Sequence, residues 1–168
     1  GICSCIFSKL MVEAGMSPAV AGLITVALGI SCGLISGTLH TRCGIPAFIA
    51  TLGMQYVARG MCYVVTNSYP ITGIPESIGW IGRGYLEIGG LEIIPWPVIF
   101  MIVVFVLVAF VASKTKFGRF VYSVGGNSEA AYLSGIDDKF IKTTVFMIAG
   151  FAAALVSIIL TSRLSSGQ

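Results

Sequence analysis

Five cysteines, one histidine and an arginine inside an apolar stretch are the residues of this chain with distinctive chemistry to offer. Cys3-x-Cys5 resembles half of a zinc site, but no second ligand pair follows it and His40 is far off in sequence. A structural zinc needs four ligands at characteristic spacings. No metal site is expected, and Cys3, Cys5, Cys32, Cys43 and Cys62 read as free thiols packed as small apolar residues. His40 lies in a short turn with Arg42 and no acid nearby, so no nucleophile–base pair is formed around it. The chain lacks a Gly-Lys-Ser/Thr phosphate loop, and GWIGRG at Gly79–Gly84 has the wrong order and context for a dinucleotide loop. A non-enzyme with no cofactor of its own is expected. There remains Arg59, preceded by Gln55 and Thr51 at steps of four, which share one helix face. This stripe either lines a polar pathway, or Arg59 snorkels to the nearer surface or pairs internally.

The elements that position these residues follow from composition. Of 168 residues, 56% are hydrophobic and only 10% charged, with a mean hydropathy of +0.95. Soluble domains carry about 25% charged residues, so this chain has too little polar surface to stay dispersed in water. It reads as an all-α, polytopic membrane protein in the lipid bilayer, one transmembrane domain over residues 1–168. The net charge of +3 does not indicate a nucleic-acid partner, because the basic residues gather in one loop.

A membrane-crossing helix needs about 20 apolar residues. Residues 20–39, 46–65, 96–112 and 141–160 qualify. Ile2–Val12 is shorter and interrupted by Lys9, which suggests the tail of a span. The first residues match no signal peptide. A chain running from Gly1 to Gln168 reads as an internal piece of a longer protein or a truncated copy.

Loop charges set orientation. Residues 113–140 hold Lys114, Lys116, Arg119 and Lys139, with Lys142 at the edge, whereas residues 66–95 hold Arg83 against Glu76, Glu87 and Glu92. Loop 113–140 is therefore expected in the cytoplasm and loop 66–95 outside. The turn at Arg42 then falls inside, and Tyr63, Tyr69, Trp80, Tyr85 and Trp96 gather at the external interface. The glycines of the external segment, among them Gly73, Gly89 and Gly90, permit turns. It serves either as a contact surface or as a passive connector.

Gly29, Gly33 and Gly37 recur at steps of four on the first span, and Gly150 with Ala154 and Ala149 with Ala153 give the fourth a similar strip. Lipid supplies no hydrophobic drive between helices, so small residues mark where backbones approach. The glycines are expected to form a tight helix–helix contact.

Within loop 113–140, Asn127 or Ser128 can cap a helix. Glu129 follows in its first turn, where it favours the dipole, and Gly135 suits a left-handed end. A helix of about two turns is expected, marginal alone and in need of contacts from its own chain or a partner. Ala130 and Ala131 keep it slim.

Four segments carry a resemblance: PAFIATLGMQYVARG at Pro46–Gly60, GWIGRGYL at Gly79–Leu86, FGRFVYSVGGNSEAAYLSGI at Phe117–Ile136 and RLSSGQ at Arg163–Gln168. Together they span about Ala19 to the end, and they resemble the permease subunits of ABC importers for ribose and related monosaccharides. Ile2–Glu13 departs from that pattern, and family permeases are about twice this long. The resemblance implies a permease dimer in the bacterial inner membrane, two cytoplasmic ATPase subunits that hold the ATP and Mg, and an external sugar-binding protein. It also implies that Gly126, Asn127, Glu129, Ala130, Ala131, Leu133, Ser134, Gly135 and Ile136 belong to a coupling helix seated in a cleft of the ATPase. A transport-inactive remnant is the alternative. A secondary-transporter fragment is a further one, disfavoured because no Asp or Glu lies inside a span.

Overall fold

The computed structural model describes residues 1–67, 69, 71–72, 79–88, 91–164 and 166–167. Gly73, Glu76, Gly89 and Gly90 of the expected external segment lie outside the described residues, as do Ser165 and Gln168 of the RLSSGQ segment. The helices are α1 (Ile2–Val12), α2 (Pro18–Cys43), α3 (Ala47–Thr66), α4 (Gly79–Arg83), α5 (Trp96–Lys114), α6 (Lys116–Gly126), α7 (Ser128–Leu133) and α8 (Asp138–Leu164). Strand β1 (Ile71–Thr72) pairs antiparallel with β4 (Ser166–Gly167), and β2 (Tyr85–Ile88) with β3 (Leu91–Pro95).

The all-α reading holds. Helices α2, α5 and α8 are long and apolar enough to cross a membrane. At 26 and 27 residues, α2 and α8 reach about 40 Å. Helix α3 has the length, at 20 residues, but Gln55 and Arg59 make it less apolar. Pro18 begins α2, where its missing N–H costs nothing. Gly44 ends it with φ of 68°, a left-handed turn that glycine adopts without strain. His40 is part of this ending: its Nδ1 donates to the Ile45 carbonyl at 2.9 Å, and its ring packs on Phe146.

The bundle is organised by the seam between α2 and α8. A Cβ at Gly29 would meet the Gly150 carbonyl oxygen and the Ala154 Cβ. One at Gly33 would meet the Phe146 carbonyl and Met147 Cα, and one at Gly37 would meet Thr143 and Phe146. Thr41 and Thr143 share a hydroxyl contact of 3.2 Å at the end of the same seam.

Helix α1 lies inside the bundle, with Ile2, Cys3, Ser4, Cys5, Phe7, Ser8 and Met11 buried. Its buried hydroxyls are satisfied: Ser8 donates to the Ser4 carbonyl at 2.9 Å, and Thr161 of α8 donates to Ser4 Oγ at 2.9 Å. Lys9 does not interrupt the helix. Its ammonium reaches the Val65 carbonyl at 3.0 Å and Glu13 at 3.6 Å, so the charge is led out along the end of α3.

Two further expectations are corrected. Cys5 and Cys62 form a disulfide between α1 and α3, with Cα atoms 6.1 Å apart; only Cys3, Cys32 and Cys43 are free. Their separation of 57 residues hides the pairing from sequence, because only the packing of α1 on α3 brings them together. The segment 113–140 is largely helical, with α6 added to the short helix expected there.

One end of the bundle collects the end of α2, the start of α3, the end of α5, α6, α7 and the start of α8. It carries Arg42, Lys114, Lys116, Arg119, Lys139 and Lys142 and is called the basic end below. At the opposite end α4 lies against the end of α8, where the Gly82 N–H donates to Ser162 Oγ at 3.1 Å and Arg83 Nε donates to the Arg163 carbonyl at 2.9 Å. A Cβ at Gly82 would run into the Arg163 backbone, so this close approach requires glycine.

Candidate functional site at the basic end

Helix α7 is short, and its geometry explains how six residues stay helical. The Asn127 side-chain oxygen accepts from the Glu129 and Ala130 N–H groups, each at 3.0 Å. Those are two of the donors a helix start leaves unpaired, and such a cap contributes about 1 kcal/mol. At the other end the Gly135 N–H donates to the Tyr132 carbonyl at 2.9 Å and the Ile136 N–H to the Ala131 carbonyl at 3.0 Å. With Gly135 at φ of 81°, these crossed bonds form a Schellman ending. Both ends of the expected helix are thus present, Asn127 being its cap.

A small apolar cluster attaches α7 to its neighbours. Val124 of α6, Ala131 of α7 and Ile141 of α8 are buried together, with Phe117, Val121 and Ile136 packed against them. Ala131 and Ile136 therefore turn inward. Gly126, Asn127, Glu129, Ala130, Leu133, Ser134 and Gly135 stay exposed. Tyr132 and Leu133 stand out, at 68% and 81% exposure. Tyr132 was not among the residues singled out from sequence; its place one step from inward-facing Ala131 is what reveals it.

Helix α6 explains the placement. Thr115 accepts from the Gly118 N–H at 3.2 Å and opens the helix. A Cβ at Gly118 would clash with the Val111 and Ala112 carbonyls, so this glycine lets the chain fold back sharply on α5. Phe117, Val121 and Val124 then face the cluster while Lys116, Arg119 and Ser123 face out. Their spacing of four and three is the signature of a helix with one apolar face, a sign that sequence reading could have used.

The second candidate group sits apart from α7. Thr51, Gln55 and Arg59 are all exposed on one face of α3. The Thr51 hydroxyl donates back to its own helix at Ala47 and Phe48, both 3.0 Å. Gln55 and Arg59 form no side-chain hydrogen bond or ion pair with another described residue. No cluster of metal-ligating side chains occurs among the described residues.

Apolar helices joined at a glycine seam, with a capped surface helix hung between two of them, define a polytopic helical membrane protein. The chain belongs to the family described as branched-chain amino acid transport system / permease component, whose model matches residues 1–168. The match therefore includes Ile2–Glu13, which the sequence reading had set outside the resemblance. Among curated relatives it is similar to the ribose import permease protein RbsC of Bacillus subtilis (strain 168), 40% identical over 160 residues, covering 94% of this chain and 48% of the relative. It is also similar to the D-allose transport system permease protein AlsC of Escherichia coli (strain K12), 34% identical over 96% of this chain and 48% of that protein. The L-arabinose transport system permease protein AraH of the same strain is 34% identical over 80% of this chain and 39% of its own length. The chain thus spans about half the length of the curated relatives it matches. No solved structure gives a significant match.

Proposed function

We propose that this chain is membrane-spanning machinery of an ATP-driven importer for ribose or a related monosaccharide. In this reading α7 is the coupling helix, from Asn127 to Ile136, that docks on a separate cytoplasmic ATPase carrying the ATP and Mg. The observation that carries the reading is α7 itself: a helix too short to stand alone, capped at both ends, anchored through Ala131 and presenting Tyr132 and Leu133 outward. The names of the relatives support the sugar class. The basic end faces the cytoplasm by the excess of Lys and Arg there, and the β1–β4 end faces out, toward a sugar-binding protein.

The exposed stripe Thr51, Gln55 and Arg59 fits this reading. An arginine directed at lipid costs about 2.5–3.5 kcal/mol at mid-bilayer on insertion scales, and less where it snorkels to a nearer surface. Facing a second permease copy or a water-filled path removes that cost. Movement at α7 would reach α8 through Ile141, and α8 would carry it across the glycine seam to α2.

The test is crosslinking in membranes. Ser134→Cys is placed in a chain with Cys3, Cys32 and Cys43 replaced by serine and the Cys5–Cys62 pair kept. It is then co-expressed with the ATPase and the sugar-binding protein of a ribose importer. An ATP-sensitive crosslink, together with uptake of labelled ribose, is expected. A crosslink without uptake would point to a transport-inactive remnant. Neither signal from an inserted chain would remove the importer reading.

A further inference from the structure

Where α5 folds back into α6, the structure forms an open apolar groove of about 370 Å³. Its walls include Leu107 and Val111 of α5, Phe117 and Val121 of α6, and Val145 and Ile148 of α8; the only polar side-chain group on the lining is the Tyr122 hydroxyl. The groove lies beside exposed cations. Lys114 follows Leu107 and Val111 at i+7 and i+3, so it stands about one turn beyond the groove on the same side of α5. On α6, Arg119 is exposed and three residues from Tyr122, at the edge of the groove-lining face, whereas Lys116 lies on the opposite face. Lys114 and Arg119 have no ion pair among the described residues, whereas neighbouring Lys142 is held by Asp138 at 3.1 Å.

We propose that this groove binds an anionic glycerophospholipid, with an acyl chain lying between α5 and α8 and the phosphate held by Lys114 and Arg119. Charge complementarity selects the occupant. An apolar slot alone would take any chain, but two cations beside it, without an ion pair among the described residues, favour an anionic headgroup. Helix α6, apolar toward the bundle and basic outward, has the make-up of a helix lying in the membrane interface. The inference needs only the membrane setting and goes beyond the import reading; its readout involves neither ATPase nor sugar.

The experiment is fluorescence quenching on the purified full chain in vesicles of uniform composition in both leaflets, so that orientation does not matter. Tyr122→Trp provides the reporter after Trp80→Phe and Trp96→Phe. Dibrominated phosphatidylglycerol is expected to quench at about fivefold lower mole fraction than dibrominated phosphatidylcholine, a preference of the size expected from one near-surface charge. Lys114→Gln and Arg119→Gln together should equalise the two lipids. Lys114→Arg and Arg119→Lys together should keep the preference, separating lost charge from lost fold. Val108→Phe, which fills the groove from its open side, should weaken quenching by both. Equal quenching in the unsubstituted background overturns the proposal, as does a preference that survives the glutamine changes or the filled groove. Absence of quenching by either lipid also overturns it and shows the groove to be covered by another helix.

Discussion

A leucine at Gly33 tests whether the seam between α2 and α8 holds the bundle together. A Cβ at this position would stand 2.9 Å from Met147 Cα and 2.9 Å from the Phe146 carbonyl carbon, and closer to the carbonyl oxygen. The favourable separation between carbons is about 3.5–4.0 Å, so α8 would have to retreat by about 0.6–1 Å. The obstacle is backbone, which cannot swing aside. A gap of about 0.5–1 Å already forfeits a quarter to a half of the dispersion energy of the facing atoms, and lipid offers no hydrophobic compensation. Replacing a helical glycine by alanine gains about 0.8–1 kcal/mol in propensity, while overpacking costs about 1–3 kcal/mol. Gly33→Ala should therefore be neutral to destabilising by about 2 kcal/mol, and Gly33→Leu worse. Gly53 is the control, since a Cβ there meets nothing within 4 Å; Gly53→Leu should be neutral or slightly stabilising. The assay is oxidative crosslinking of Thr41→Cys with Thr143→Cys, whose native hydroxyls are 3.2 Å apart, alongside Tm in detergent. Crosslinking should slow and Tm should fall for Gly33→Leu alone. If Gly33→Leu matches Gly53→Leu in both readouts, the reasoning about the seam is wrong.

Three other expectations follow from the same geometry. Asn127→Ala removes two cap bonds of 3.0 Å and should cost about 1 kcal/mol, read as roughly fivefold faster amide hydrogen exchange over residues 128–133; Asn127→Asp should preserve protection. Gly135→Ala places a Cβ at φ of 81°, where an L-residue costs about 1–2 kcal/mol, so exchange should quicken at Ile136 without loss of α2–α8 crosslinking. Alkylation of the unfolded, unreduced chain should modify Cys3, Cys32 and Cys43, and mass spectrometry should find Cys5 and Cys62 modified only after reduction.

Much of this architecture can be read from the residues alone. Hydropathy marks α2, α5 and α8 within a few residues because a span must be apolar along its whole length, whichever way it faces. The steps of four from Gly29 to Gly37 show in sequence for a related reason: close helix contact in lipid depends on residue size. The α7 caps are equally local, since Asn127 and Gly135 act within a few residues of themselves. Two features required the fold. The Cys5–Cys62 bond depends on α1 packing on α3, a relation that no spacing reveals. Helix α6 is concealed by its glycines, Gly118, Gly125 and Gly126, which suggest a loop; Gly118 instead allows the sharp reversal from α5.

What holds the chain together is nearly the inverse of a soluble core. Among the described residues the largest fully buried side chains are Phe7, Thr25, Thr161, Cys5, Ser8 and Ser162, while Leu23, Phe48 and Phe105 are exposed and α5 buries none of its residues. In water such exposed apolar surface would drive aggregation; in a bilayer lipid solvates it. Specific structure must then come from close backbone approach and from hydroxyls that find partners inside, such as Thr161 with Ser4 and Thr25 with the Ala21 carbonyl. These contacts have little give, because glycine has no side chain to repack and the short serine and threonine side chains are fixed by their hydrogen bonds. A rigid seam of that kind suits the proposed role of α8: pushed at Ile141 by α7, it would move α2 with it, whereas α5, packed chiefly at its ends, could follow independently. The glycine seam and the α7 anchor are thus coupled through one helix. On the import reading proposed above, substitutions that loosen the seam should reduce ATP-driven uptake even while the crosslink from Ser134→Cys to the ATPase persists.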